Sequence, residues 1–236
     1  MTVFSDRFAF VHIPKCGGHS CREYMQAHVP GMLDIEELNG PSPHLALRDF
    51  ERWIGRRPDT FEAIFAVIRD PYAHQLSQWL FWRDMYAKGY EMAQHRPAAI
   101  QPDLLRWLLD PMSDWHVYDP RALPDGRRRT TASVKGIAGL DKGAGYMEFG
   151  GYYHYWLAID GEIPDNVALV RQETLDRDFP YALKDIAGGI HPMPRSNTGP
   201  MHKPDVESYY SVMAMDIVEA KFAWAFDAGL YQRWKR

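Results

Sequence analysis

The sequence predicts an α/β fold in which a central parallel sheet is flanked by helices. Two observations carry that expectation. Three short, nearly continuous apolar runs, Phe8 to His12, Phe61 to Ile68 and Asn166 to Val170, have the length and composition of strands buried on both faces. Each is followed by a turn and then by a segment with helix-start signals or apolar residues three and four apart. In such folds ligands bind at the carboxyl ends of the strands, which places His12 to Ser20, Arg69 and Arg171 where chemistry is expected.

The totals are compatible with that architecture. The chain has 236 residues, 46% hydrophobic and 25% charged, enough to bury one good core, so a single domain over 1–236 is expected, with a less regular insertion at about 91–146. A net charge of -4 argues against a nucleic-acid partner. The two cysteines, Cys16 and Cys21, lie five apart across a loop and a helix start. A disulfide there would pin a loop that must cradle a ligand, so reduced thiols and a cytoplasmic setting are expected. The sequence shows no signal-peptide pattern, no apolar stretch of transmembrane length and no internal repeat.

The elements follow in order. The first strand, Phe8 to His12, leads into Pro14-Lys15 and the tight turn Gly17-Gly18, and Ser20 to Val29 then reads as one helix ended by Pro30-Gly31. Met32 to Pro43 reads as loop, and Leu45 to Ile54 as a short helix with Leu47, Phe50 and Ile54 on one face. Phe61 to Ile68 is the second strand. Asp70-Pro71 then supplies the N-cap and first residue of a helix to about Tyr90, with Leu76, Trp79 and Leu80 toward the core. Pro102 to Leu109 reads as helical. Pro120 to Gly145 reads as an exposed excursion whose Arg127-Arg128-Arg129 is a solvated charge run. Tyr146 to Ile159 is aromatic and helical. Asn166 to Val170 is the third strand, followed by a helix from about Leu175 to Ile186. His191 to Pro204 is a loop with four prolines. From Asp205 a long amphipathic helix is expected, with Val206, Tyr210, Met213, Ile217, Ala220 and Trp224 facing the core and Gly229 closing it.

A strand, a glycine turn and a helix start aim backbone N–H groups at an anion, and a lysine in that loop adds a compensating charge. The loop PKCGGHS lacks the spacing GxxxxGK[ST] and its Lys-Ser/Thr pair, which speaks against a small-molecule kinase using ATP and magnesium. At the second strand end, Arg69 with Ser77 two turns into the next helix could clamp a second phosphate. Two separate anion sites and one lysine suggest a nucleotide with phosphates at both its 5′ and 3′ ends.

These stretches resemble a known family. HIPKCGGHS resembles the 5′-phosphosulfate loop of sulfotransferases that use 3′-phosphoadenosine 5′-phosphosulfate (PAPS), in their heparan-2-O-type and bacterial branch, where the common form is HIPKTGGTS. FAVIRDPYAHQLSQW is similar to that family's 3′-phosphate motif, VALVRQETLDRDF to its later strand and Glu-x-Leu segment, and RSNTG with the final helix and DAGLY to its C-terminal layout. The likeness covers most of the chain and is weakest from Glu91 to Tyr146.

The resemblance implies a P-loop-like sulfotransferase fold and transfer of a sulfuryl group from PAPS to a hydroxyl or amine of a small-molecule, carbohydrate or lipid acceptor. The product is adenosine 3′,5′-bisphosphate. It implies that the backbone of Cys16, Gly17, Gly18, His19 and Ser20 holds the 5′-phosphosulfate and that Lys15 stabilises the charge left on the bridging oxygen. Arg69 and Ser77 would bind the 3′-phosphate, with Arg195 and Asn197 adding nucleotide contacts. Cys16 and His19 stand where the family has threonines. His44 is the candidate general base, with His116, His154 and His191 as alternatives and His12 read as structural. The histidines and cysteines show no paired metal-ligand spacing, so no metal is expected. A nucleotide-binding protein of the same fold without transfer activity is the other reading.

Overall fold

The structure, a computed structural model, describes residues 2–35, 44–94, 100–109, 151–196 and 205–235. The arginine run, His116, Asn197 and the excursion at 120–145 lie outside the described residues. The element order is β1 (Val3–Phe4), β2 (Phe8–Val11), α1 (Gly18–His28), β3 (Leu33–Asp34), α2 (Phe50–Ile54), β4 (Ala63–Ile68), α3 (Pro71–Ala87), α4 (Glu91–Gln94), α5 (Leu104–Leu109), α6 (Tyr152–Leu157), β5 (Val167–Arg171), α7 (Leu175–Ala182), α8 (Val212–Lys221) and α9 (Ala223–Asp227). The chain divides into two compact units, Met1–Asp70 with His154–Met201, and Pro71–Tyr153 with His202–Arg236.

The first unit holds the sheet, a five-stranded mixed α/β arrangement in the order β3-β1-β2-β4-β5. The three strands read from the sequence pair in parallel. Phe10 faces Phe65 across β2 and β4, and Phe65 faces Ala168 across β4 and β5. Five of the six β4 residues are buried, as a central strand covered on both faces requires. The expectation of a wholly parallel sheet is corrected at one edge: β1 runs antiparallel to both β2 and β3. The turn that reverses the chain is built by Ser5. Its backbone N–H donates to the Phe8 carbonyl at 2.7 Å, and its hydroxyl oxygen accepts the Phe8 N–H at 3.1 Å. β3 falls within the segment read as loop. Asp34 at its end is buried and meets Arg22 of α1 at 3.4 Å, which fixes that helix against the sheet edge.

The core of this unit converges on Phe179 of α7, which is fully buried. Its ring meets Phe10 of β2 at 5.9 Å, Phe65 of β4 at 6.3 Å and Tyr24 of α1 at 5.8 Å, each edge-on or nearly so. α7 stops at Ala182 rather than reaching Ile186. Beyond it the chain continues in turns, with the Lys184 N–H donating to the Tyr181 carbonyl at 3.3 Å and the Ile186 N–H to the Leu183 carbonyl at 3.0 Å.

The second unit is helical among its described residues. α3 runs to Ala87, and Leu76 and Trp79 are buried as expected, with Leu80 half-buried. The long final helix is corrected. It comprises a 3-10 turn, then α8, then α9, with the break at Phe222. Its buried stripe is also rotated from the expected one: Ala214, Met215, Ile217, Val218, Lys221, Ala225 and Phe226 face inward, while Met213 is 46% exposed. A charged residue inside the stripe hides this register in the sequence. Lys221 is buried, donates to the Gln75 side-chain oxygen at 2.9 Å and lies 5.6 Å from the Tyr152 ring centre. A buried lysine is tolerated when hydrogen-bonded and faced by aromatic rings.

Candidate functional site

The site grows out of the carboxyl end of β2. The loop Pro14–Gly17 turns the chain into α1 through two left-handed residues, Lys15 at φ 65° and Gly17 at φ 82°. Glycine adopts that conformation freely, whereas lysine does so at a cost of about 1–3 kcal/mol that the surroundings must offset. Gly17 is the helix N-cap and makes no side-chain cap, and the first turn contains no acidic residue. Helix geometry leaves the N–H groups of Gly18, His19 and Ser20 without intrahelical partners, and the first ladder bond runs from the Cys21 N–H to the Gly17 carbonyl. An eleven-residue helix thus presents an uncapped N-terminus and its positive dipole end at the loop.

Gly18 is required for a different reason. A Cβ there would stand 1.9 Å from the His12 ring carbon Cδ2 and 2.1 Å from Nε2. His12 is buried, as expected of a structural residue, and its imidazole packs directly on the helix start. Around it gather His19, exposed and with ring centres 5.5 Å apart, and His44, 4.4 Å away. His44 also meets Trp156 of α6 at 6.3 Å.

Lys15 and Arg69 come together at this loop. The Arg69 guanidinium donates to the Lys15 carbonyl at 3.1 Å, joining the ends of β2 and β4. Burial first, and the neighbouring Arg69 charge second, hold the Lys15 ammonium below its ordinary 10.5, at about 8. It remains largely protonated at neutral pH. Cys16 and Cys21 are both reduced thiols and both buried, so the position of Cys16 in the loop offers a ligand its backbone and not its sulfur.

His44 is held by its Nδ1, 2.9 Å from the His12 carbonyl oxygen. A carbonyl can only accept, so Nδ1 carries the hydrogen and Nε2 carries the lone pair of a neutral imidazole. Although part of the residue remains accessible, burial lowers its titration to about 3, against the opposing help of that hydrogen bond. His19 is also lowered, by burial and then by nearby positive charge.

The other residues read from the sequence have different surroundings. The Ser20 hydroxyl oxygen accepts the Ser196 N–H at 3.2 Å, and the Ser196 hydroxyl donates to the Glu23 carboxylate, so Ser20 helps seat the proline-rich loop on α1. Arg195 forms an exposed pair with Asp176 at 3.1 Å. Ser77 is half-buried on α3, in the second unit. His191 stacks on His28, with ring centres 4.0 Å apart. The sequence reading placed Glu173 in the Glu-x-Leu segment but gave it no role; its carboxylate accepts the Asp70 N–H at 2.7 Å just before α3. Its place just beyond the β5 end, matching that of Arg69 beyond β4, is the signal that marked it.

Among the described residues no group of three or more histidine, cysteine or acidic side chains is placed to hold a metal ion, and no helix is long and apolar enough to cross a membrane. No protein-family model, curated protein or solved structure matches the chain, so the loop geometry and the sequence resemblance together carry the functional reading.

Proposed function

We propose that the chain is a PAPS-dependent sulfotransferase of P-loop-like sulfotransferase fold, which moves a sulfuryl group to a hydroxyl or amine of a small-molecule, carbohydrate or lipid acceptor in the cytoplasm. The observation that carries the reading is the meeting of two cations, Lys15 and Arg69, at the uncapped N-terminus of α1. Like charges brought together beside a helix dipole of the same sign favour an anion of high charge. PAPS supplies the activated sulfuryl group.

Each residue has a defined task in this reading. The N–H groups of Cys16 to Ser20 hold the 5′-phosphosulfate, and Cys16 suits this because only its backbone is offered. Lys15 neutralises the bridging oxygen as the S–O bond breaks. His44, with Nε2 unprotonated at every pH above about 3, accepts the proton that the acceptor loses as its oxygen or nitrogen bonds to sulfur. Arg69 binds the 3′-phosphate and Arg195 adds a contact to the nucleotide; Ser77 and Asn197 keep the nucleotide-binding roles that the sequence resemblance implies. His19 replaces the hydroxyl of a threonine with a ring N–H donor. Positioning and charge neutralisation supply most of the catalysis, as in phosphoryl transfer.

Calorimetric titration with adenosine 3′,5′-bisphosphate and with ATP, on the wild type and on Lys15→Ala and Arg69→Ala, tests the reading. Tight bisphosphate binding weakened in both variants is expected. Tight ATP binding with none for the bisphosphate would refute it. Transfer of labelled sulfate from PAPS to an acceptor panel should be lost in His44→Ala with bisphosphate affinity retained, and normal turnover in that variant removes His44 from the mechanism.

A further inference from the structure

We propose that Arg69 is a positioning residue for Lys15: its guanidinium holds the loop at Lys15 in the left-handed conformation and fixes a second positive charge at the Lys15 backbone, so that the loop selects anions carrying at least two charges. The inference rests on the reading of this loop as the anion site. It assigns Arg69 a task on the loop itself, in addition to any contact with the far end of a nucleotide.

Three observations support it. Lys15 is one of two described non-glycine residues at positive φ, and its backbone is bonded at its own carbonyl by Arg69 across 54 residues of sequence. A charge-assisted bond at a strained residue offsets the strain and selects one loop conformation. Arg69 directly follows β4, an interior strand paired in parallel with β2 on one side and β5 on the other, and the next N–H in the chain, that of Asp70, is held by the Glu173 carboxylate. The strand end that presents the guanidinium is therefore fixed on both sides. Lastly, Arg69 is the principal neighbouring charge acting on Lys15, and it opposes protonation there. One monovalent anion leaves a net positive charge at such a pair; a divalent one neutralises both.

The test uses the protein without nucleotide. The acetylation rate of Lys15 is followed against pH by peptide mass spectrometry in wild type, Arg69→Gln and Arg69→Lys. Amide exchange of Cys16 to Ser20 is followed in the same proteins and in Arg69→Ala, with circular dichroism confirming the fold. The Lys15 midpoint should lie near 8 in wild type, stay near it in Arg69→Lys, and rise in Arg69→Gln while remaining below 10.5, because burial, the larger cause of the lowering, is retained. Exchange of the loop amides should quicken in Arg69→Ala by about tenfold or more, the fold-change that a lost charge-assisted bond corresponds to. In titrations with simple anions, wild type should favour inorganic pyrophosphate over methanesulfonate, and Arg69→Gln should narrow that preference. An unmoved Lys15 midpoint in Arg69→Gln, or unmoved loop amides in Arg69→Ala, overturns the proposal. Because no nucleotide is used, a failure here can stand beside normal bisphosphate binding. Absence of bisphosphate binding likewise leaves these readouts intact.

Discussion

Replacing Gly18 by alanine tests the packing at the helix start, because two effects of opposite sign meet there. In an open first turn, alanine stabilises relative to glycine by about 0.5–1 kcal/mol, since it loses less backbone freedom on folding. At Gly18 the added Cβ would lie 1.9, 2.1 and 2.7 Å from three atoms of the His12 ring. These contacts are far inside van der Waals distance, so the imidazole must leave its place. It is hemmed in by the His44 and Phe10 rings, 4.4 and 6.2 Å away between centres. Overpacking of this kind costs about 1–3 kcal/mol, so the clash wins and the net loss is about 1 kcal/mol. For a chain of this length that lowers Tm by about 2–4 °C. Urea and thermal unfolding of Gly18→Ala, His12→Ala and the double variant measure it. On the His12→Ala background the sign should reverse, because the ring that made glycine necessary is gone. A Gly18→Ala protein more stable than wild type, or an equal effect in both backgrounds, would show that the His12 ring does not pack on the helix start.

Four further outcomes are expected. Phe179→Ala should lose about 3–5 kcal/mol in denaturant unfolding, since the buried ring touches two strands and α1 and a cavity would open between them. Lys15 should make stability pH-dependent: folded protein releases its proton near 8 and unfolded chain near 10.5, so between those values the folded state binds fewer protons and stability rises with pH. Lys15→Met should abolish that rise and be more stable than wild type at pH 7, as read by urea midpoints. His44 gives a second window by the same sign. The unfolded chain takes up a proton below 6.5 and the folded one below about 3, so stability falls as pH drops through that interval, and His44→Gln should flatten the fall.

Much of the fold was legible because it rests on local pattern. β2 and β4 are apolar runs whose burial follows from composition, whereas β5, expected to be buried on both faces, lies at the sheet edge with only Val170 buried; the loop after β2 carries its glycines where the chain turns. What could not be read depends on partners distant in sequence. β1 and β3 are two residues each and exist only by pairing. Lys221 sits inside a helical stripe because the Gln75 side-chain oxygen, 146 positions earlier, accepts a hydrogen bond from its ammonium. In the site, the types of Lys15, Arg69 and His44 were visible and their coupling was not. The bond from Arg69 to the Lys15 carbonyl, the anchoring of His44 Nδ1 and the reach of Glu173 to Asp70 are tertiary facts. The need for glycine at position 18 looked like a matter of backbone freedom, yet it comes from a ring six residues earlier.

The burial of both thiols makes the loop its own reporter. Cys16 and Cys21 flank the helix start, are almost wholly enclosed, and Cys21 is held further from its reactive thiolate form by that enclosure. Iodoacetamide should therefore label the native protein slowly, at a rate set by how often the helix start opens. An anion that closes the loop would slow that clock, and peptide mapping would show which thiol is released first, so occupancy could be followed without a chromophore or any knowledge of the acceptor.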